Sequence, residues 1–228
     1  QVRQALELAS GRGGALKVLP PPPPLYYQLM ATVLRVERAI NGGPWSLDRE
    51  LALLRLANVA LVAPLPLLAW WAARRFGLDH ATAIGACFAV FAVPMLTHIG
   101  STLNNDNLLT LCGAVLVALL AGVLRGDRSL RTGVAVGAVI GVALLTKAFA
   151  VIFPLLAALA YVIGATAGAR AGWRQAAGRA IRPLAAAGAA AAVVAGGGDV
   201  GGRGRTGAFT PTVEDAALTS APAPPGVE

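Results

Sequence analysis

The sequence predicts an all-α fold: a polytopic transmembrane helix bundle of about five to six spans, with an outer-face amphipathic segment and a disordered C-terminal tail. Three observations predict it. Of 228 residues, 56% are hydrophobic and only 13% charged, whereas soluble domains carry about 25% charged residues. The apolar residues gather in runs near bilayer length, and mean hydropathy is +0.66, which argues against a soluble enzyme. The arginines sit in alternate gaps between the runs, where they act as topology signals. A formal charge of +8 would otherwise suggest nucleic acid; with the arginines so placed, nucleic acid is excluded as a partner.

Residues 1–50 read as an outer-face loop and amphipathic segment, residues 51–195 as the helix bundle and residues 196–228 as the tail. The proline run 20–24 imposes an extended, polyproline-like approach to a helix opening at Leu25-Tyr26-Tyr27. Tyr26 and Tyr27 suit a membrane-interface belt. Arg35, Arg38 and Arg49 lie among Glu37, Asp48 and Glu50, the mixture expected of an amphipathic surface segment.

Six apolar segments follow, at residues 51–71, 81–99, 108–124, 132–146, 149–167 and 184–195, the fourth and sixth short. Pro64, Pro66, Pro94 and Pro154 fall inside them, which a membrane bundle tolerates where neighbours re-satisfy the freed carbonyls. Gly133, Gly137 and Gly141 are spaced four apart and give one helix face a smooth stripe suited to close packing. After residue 196 the chain is rich in Gly, Pro, Ala and Thr, too poor in large apolar side chains to offset the entropy of ordering.

Orientation follows from the loops. Arg74 and Arg75, then Arg125, Arg128 and Arg131, then Arg170, Arg174, Arg179 and Arg182 mark three cytoplasmic connections. The segment 98–107 has no Lys or Arg and the turn after Thr146 has only Lys147, so both belong outside. Arg55 opens the first span on that outer side, where snorkelling is the simple reading.

Chemistry-bearing residues are few. Between residues 51 and 198 the only acids are Asp79, Asp106 and Asp127, and two of these sit in arginine loops. Asp106 lies instead in the polar run Ser101-Thr102-Leu103-Asn104-Asn105-Asp106-Asn107 at an outer span mouth, with His98 a turn earlier. Charges near membrane helices are costly and often functional; Asn and Asp also cap helices, so capping and ligand binding both stay open. Lys147 is the only lysine after Lys17 and offers either a snorkelling cation or a point charge for phosphate. Cys87 and Cys112 lack any metal-ligand spacing.

The order of these features carries a resemblance. Pro-Pro-Leu-Tyr-Tyr (Pro23 to Tyr27), Leu-Arg-Leu-Ala (Leu54 to Ala57), Asn105-Asp106 and Gly-Val-Ala-Leu-Leu-Thr-Lys (Gly141 to Lys147) follow one another as in the N-terminal half of GT-C-type glycosyltransferases. That group includes protein mannosyltransferases and aminoarabinose transferases. The resemblance implies a multi-pass plasma-membrane protein that takes a sugar from a polyprenyl-phosphate carrier and passes it to a lipid, glycan or protein acceptor on the outer face. It implies substrate contacts at Asn105, Asp106, Lys147, Tyr26, Tyr27 and Arg55, room for a divalent metal, and no other cofactor. It also implies a general base on an acid upstream of Gln1; Glu7, the only acid before Pro20, lacks the family's Asp-Glu context. This 228-residue chain alone is therefore expected to be an inactive N-terminal-half fragment. The competing reading is a non-catalytic or transport-type membrane protein of similar topology.

Overall fold

The computed structural model describes residues 25–167 and 173–206. The proline run, Glu7, Arg170 and the tail beyond Thr206 lie outside the described residues, as do the side chains of Arg174 and Arg179. Among the described residues the protein is all helical, with no strand.

Helix α1 (Leu25–Asn41) buries Tyr26, Met30 and Leu34, spaced one turn apart, and leaves Val36 and Ile40 outside. This is the amphipathic period the sequence predicts. It stops at Gly42, whose φ of +72° is the left-handed position glycine adopts without strain. Helix α2 (Leu47–Val62) follows, with Asp48 and Glu50 in its first turn. The Arg38 guanidinium forks onto Glu50, donating from Nε to Oε1 at 2.9 Å and from Nη2 to Oε2 at 3.0 Å. Charged residues of the surface segment thus tie α1 to α2 rather than only facing water.

Helix α3 (Leu65–Arg75) takes Pro66 in its first turn, where a missing N–H costs nothing. The prolines therefore leave α2 and α3 as one 29-residue apolar span, Leu47–Arg75. The second expected span is broken. Asp79 caps helix α4 (His80–Ala89), accepting from the Thr82 N–H at 2.7 Å. Pro94 then opens helix α5 (Pro94–Gly100), and the two halves bend by 68°. Helix α6 (Asp106–Leu124) is a full span; helix α7 (Leu130–Thr146) is capped by Ser129 Oγ. A 3-10 turn at Ala148–Val151 leads into helix α8 (Ile152–Ala167), and helix α9 (Trp173–Thr206) closes the bundle.

Among the described residues, three helices can cross a membrane by length and composition, and four if the bent pair is one span. The other two expected segments are present as shorter apolar helices, Leu130–Thr146 and Ala180–Gly196. Seventeen residues rise only about 25 Å against a core of ~30 Å, which separates this count from the five to six read from hydropathy. The last helix also runs past Gly196 to Thr206, beyond the expected start of the tail.

The glycine stripe of α7 meets the backbone of α9. A methyl at Gly133 would sit 2.6 Å from the Pro183 carbonyl oxygen, and one at Gly137 would overlap that of Ala187. Such close approach is how helices gain contact in lipid, where van der Waals packing rather than water exclusion drives association.

At one end of the bundle the arginine loops converge. Arg75 Nη2 lies 2.9 Å from Asp127 Oδ2, and its guanidinium sits 5.2 Å over the Trp71 ring. The same group fills the notch left by Gly122, and Arg128 donates to the Gly164 carbonyl. Burial pushes the Asp127 carboxyl up, but hydrogen bonds from Thr132 and Ser129 and the Arg75 charge outweigh it and hold the group below its ordinary value. A depressed carboxyl contributes stability above its unfolded pKa and loses it as pH falls through the folded one. Asp127→Asn should therefore lower thermal stability in detergent at pH 7 by up to about 1 kcal/mol. The gap from wild type should narrow progressively as pH falls below about 4; a gap as wide at pH 2 as at pH 7 would refute the linkage.

Candidate functional site

The opposite end carries the polar residues. Asp106 is the first residue of α6 and Lys147 follows the last residue of α7, at the C-cap. A helix N-terminus favours a carboxylate and a C-terminus an ammonium, so both backbones support the charges they present. The Lys147 Nζ lies 2.6 Å from Asp106 Oδ1, with side chains 32% and 36% exposed. The pair is thus formed and still open to a ligand. Lys147 Nζ also stands 5.8 Å from the Phe149 ring centroid.

Tyr27 completes this cluster. It is 8% exposed; burial raises its phenol above the ordinary value, with Lys147 pulling it down and Asp106 pushing it up. Tyr26 packs edge-on against it at 5.3 Å. The expectation of an interface belt fails for both rings, because α1 turns them into the bundle instead of toward lipid. Tyr26 is 1% exposed and donates its hydroxyl to Asn58 Oδ1 at 2.9 Å.

Asn105 is the N-cap residue of α6, but its side chain makes no capping bond. Asn104 does that work, accepting from the Asp106 N–H at 3.1 Å. The Asn105 side chain is therefore left half-buried, next in sequence to Asp106, rather than spent on the helix end. Arg55 is not brought to the Lys147 cluster. It lines a neighbouring cavity of about 740 Å³ together with Leu56, Val59, Ser101, Thr102 and Leu103. His98 is exposed at the end of α5, linked to the polar run through its carbonyl, which accepts from Ser101 Oγ at 2.9 Å.

Asn107, the last residue of the polar run, and Asn58, which the sequence reading did not single out, sit at the centre. Asn58 is fully buried and Asn107 1% exposed. Asn107 Nδ2 donates to Asn58 Oδ1 at 2.8 Å, and Asn58 Nδ2 to the Leu54 carbonyl at 2.9 Å. The available signal was Asn58 itself, an amide in a first span whose only charged side chain is Arg55, where an unpaired polar group is expensive.

A metal does not fit what is here. Among the described residues no three His, Cys, Asp or Glu side chains come together, and the Asp106 carboxylate already faces an ammonium. The site offers instead a paired carboxylate, two cations, and buried phenols and amides. Such a set suits an anionic head group bearing hydroxyls.

A family model described as dolichyl-phosphate-mannose-protein mannosyltransferase matches residues 47–194, from the start of α2 into α9. No curated protein and no solved structure shows significant similarity to the chain.

Proposed function

This chain belongs to the dolichyl-phosphate-mannose-protein mannosyltransferase family, a group of membrane glycosyltransferases, and from that premise we propose that it binds a polyprenyl-phosphate-linked sugar for transfer to an acceptor hydroxyl at the outer face of the plasma membrane. The observation that carries the reading is the grouping of Tyr27, Asp106 and Lys147 at the bundle end opposite the arginine loops, with the Arg55 cavity alongside.

In the proposed division of labour, Lys147 and Arg55 offset the charge that develops on the leaving polyprenyl phosphate. Fixed charges aimed at such a site are among the largest contributions to catalysis. Asp106 and Asn105 position sugar or acceptor hydroxyls, while Tyr26 and Tyr27 shape the wall behind them. The acceptor hydroxyl attacks the anomeric carbon, the carrier phosphate departs, and the hydroxyl proton passes to a carboxylate. General-base help of this kind is worth ~10²–10⁴-fold. Asp106 is engaged by Lys147, so we assign the base to an acid outside these residues and expect the 228-residue chain to bind donor without turning it over. The acceptor class, whether lipid, glycan or protein, is part of the same proposal.

The test uses the full chain in nanodiscs, titrated with dolichyl-phosphate mannose and assayed for mannose transfer to a hydroxylated acceptor. Saturable binding without transfer is the expected result. Transfer by this chain would overturn the external base. Absence of saturable binding would overturn the donor site.

A further inference from the structure

Three elements that surround the candidate site meet at one buried amide. Asn58 Oδ1 accepts from the Tyr26 hydroxyl of α1 at 2.9 Å and from Asn107 Nδ2 of α6 at 2.8 Å. Its Nδ2 donates to the Leu54 carbonyl of its own helix and lies 3.6 Å from Met30 Sδ. Asn58 is absent from the wall of the Arg55 cavity, although it stands nearly one turn beyond Arg55 on α2.

The second half of the network reaches that wall. Asn107 Nδ2 also approaches the Ile99 carbonyl at 3.1 Å and the Thr102 carbonyl at 3.0 Å. A primary amide has two hydrogens, so three acceptors compete for them. The bond to Asn58 Oδ1, the shortest of the three at 2.8 Å, holds the amide in the orientation that meets the Ile99 and Thr102 carbonyls. Ser101, Thr102 and Leu103 form one side of the cavity and Arg55, Leu56 and Val59 the other. The next residue before Asn107 is Asp106, which faces Lys147.

We infer that Asn58 is a positioning residue: its buried amide sets the place of the 99–103 segment, and so the width of the Arg55 cavity in which a lipid phosphate sits. The inference rests on the donor-site reading above for its ligand, and on the hydrogen-bond geometry alone for the segment it positions. Removing the amide leaves the Tyr26 hydroxyl without this acceptor and the Asn107 amide without the bond that fixes its orientation, so its hold on the Ile99 and Thr102 carbonyls slackens and the segment shifts without any residue of the cavity being altered.

The experiment compares wild type, Asn58→Leu, Asn58→Asp and Arg55→Ala in nanodiscs. It reads amide hydrogen exchange by peptide and the affinity for farnesyl phosphate, a soluble polyprenyl phosphate. Asn58→Leu should raise exchange at residues 99–105 severalfold, leave the α7 and α9 peptides as they were, and weaken farnesyl phosphate binding about tenfold. Asn58→Asp at pH 5, where burial keeps the carboxyl protonated, keeps an oxygen for Tyr26 and Asn107 and one O–H for the Leu54 carbonyl, gives up only the Met30 contact, and should restore both. Arg55→Ala should weaken binding without changing exchange at 99–105.

Exchange and affinity within twofold of wild type in Asn58→Leu would overturn the inference. So would a rise in exchange through the whole bundle, which marks a residue that only holds the fold. If wild type binds no farnesyl phosphate while Asn58→Leu still loosens 99–105 alone, the donor-site reading fails and the positioning role of Asn58 stands.

Discussion

Gly137→Leu should be the most damaging single substitution in the bundle, with loss of a monodisperse protein in detergent or a fall of more than about 10 °C in Tm. The reason is local and backbone-bound. Even a methyl at residue 137 would overlap the Ala187 carbonyl oxygen of α9, and Gly133 and Gly141 press on the same helix one turn either side. No side-chain rotation relieves a clash with backbone; α9 must move as a body. Overpacking a tight contact costs about 1–3 kcal/mol, and here it undoes a contact shared along three turns. Gly188→Ala is the control. It lies in α9 with open space where its methyl would go, and alanine favours a helix by about 1 kcal/mol over glycine. Equal melting of Gly137→Leu and wild type would mean that α9 does not pack on α7 in the membrane.

The second large effect is on ligand rather than fold. Lys147→Ala should weaken farnesyl phosphate binding at least tenfold, which corresponds to about 1.4 kcal/mol. Asp106→Asn separates this reading from a purely structural ion pair. If Lys147 serves only to pair with Asp106, both substitutions lower stability alike and neither changes affinity. If Lys147 meets phosphate, Asp106→Asn removes its competitor, and affinity holds or rises while Lys147→Ala loses it. The pair is about one-third exposed, so its own contribution to stability is small, of order 0.5–1 kcal/mol. Binding unaffected by Lys147→Ala would remove this lysine from the donor site.

Much of this architecture is legible in the sequence because membrane helices announce themselves through local composition. The runs around residues 51–71, 108–124 and 149–167 became spans, and the arginine pairs flanking them converge through Arg75 and Asp127. Asp106 and Lys147 stood out as rare charges in apolar surroundings, and the fold brings them together across 41 residues. What stayed hidden depends on which faces meet. Nothing in the pattern around Asn58 says that Tyr26, 32 residues before it, and Asn107, 49 residues after it, share its oxygen. Tyr26 and Tyr27 read as belt residues because adjacency to prolines and apolar residues is the same for an interface ring and a buried one. The break at Pro94 was visible as a proline, but its 68° bend depends on how α4 packs against α3. Arg55 lies on the same helix as Asn58 yet lines an open cavity while Asn58 is fully buried, a distinction that only the rotation of α2 could make.

The length of the α2–α3 span has a consequence for the lipid around it. Twenty-nine residues rise about 43 Å, while the hydrocarbon core is ~30 Å thick. Even at 40° of tilt, the upper end of the usual range, about 33 Å would still lie along the bilayer normal. The surplus must emerge, and the acidic first turn at Asp48 and Glu50 marks the end that does. Because Arg38 clamps α1 to Glu50, α1 rides on that protruding stub like a float on a mast. Its height above the acyl chains is then set by bilayer thickness. In a thin membrane α1 is lifted clear of the head groups; in a thick one it is drawn down among them, together with Tyr27, on which Lys147 and Asp106 act.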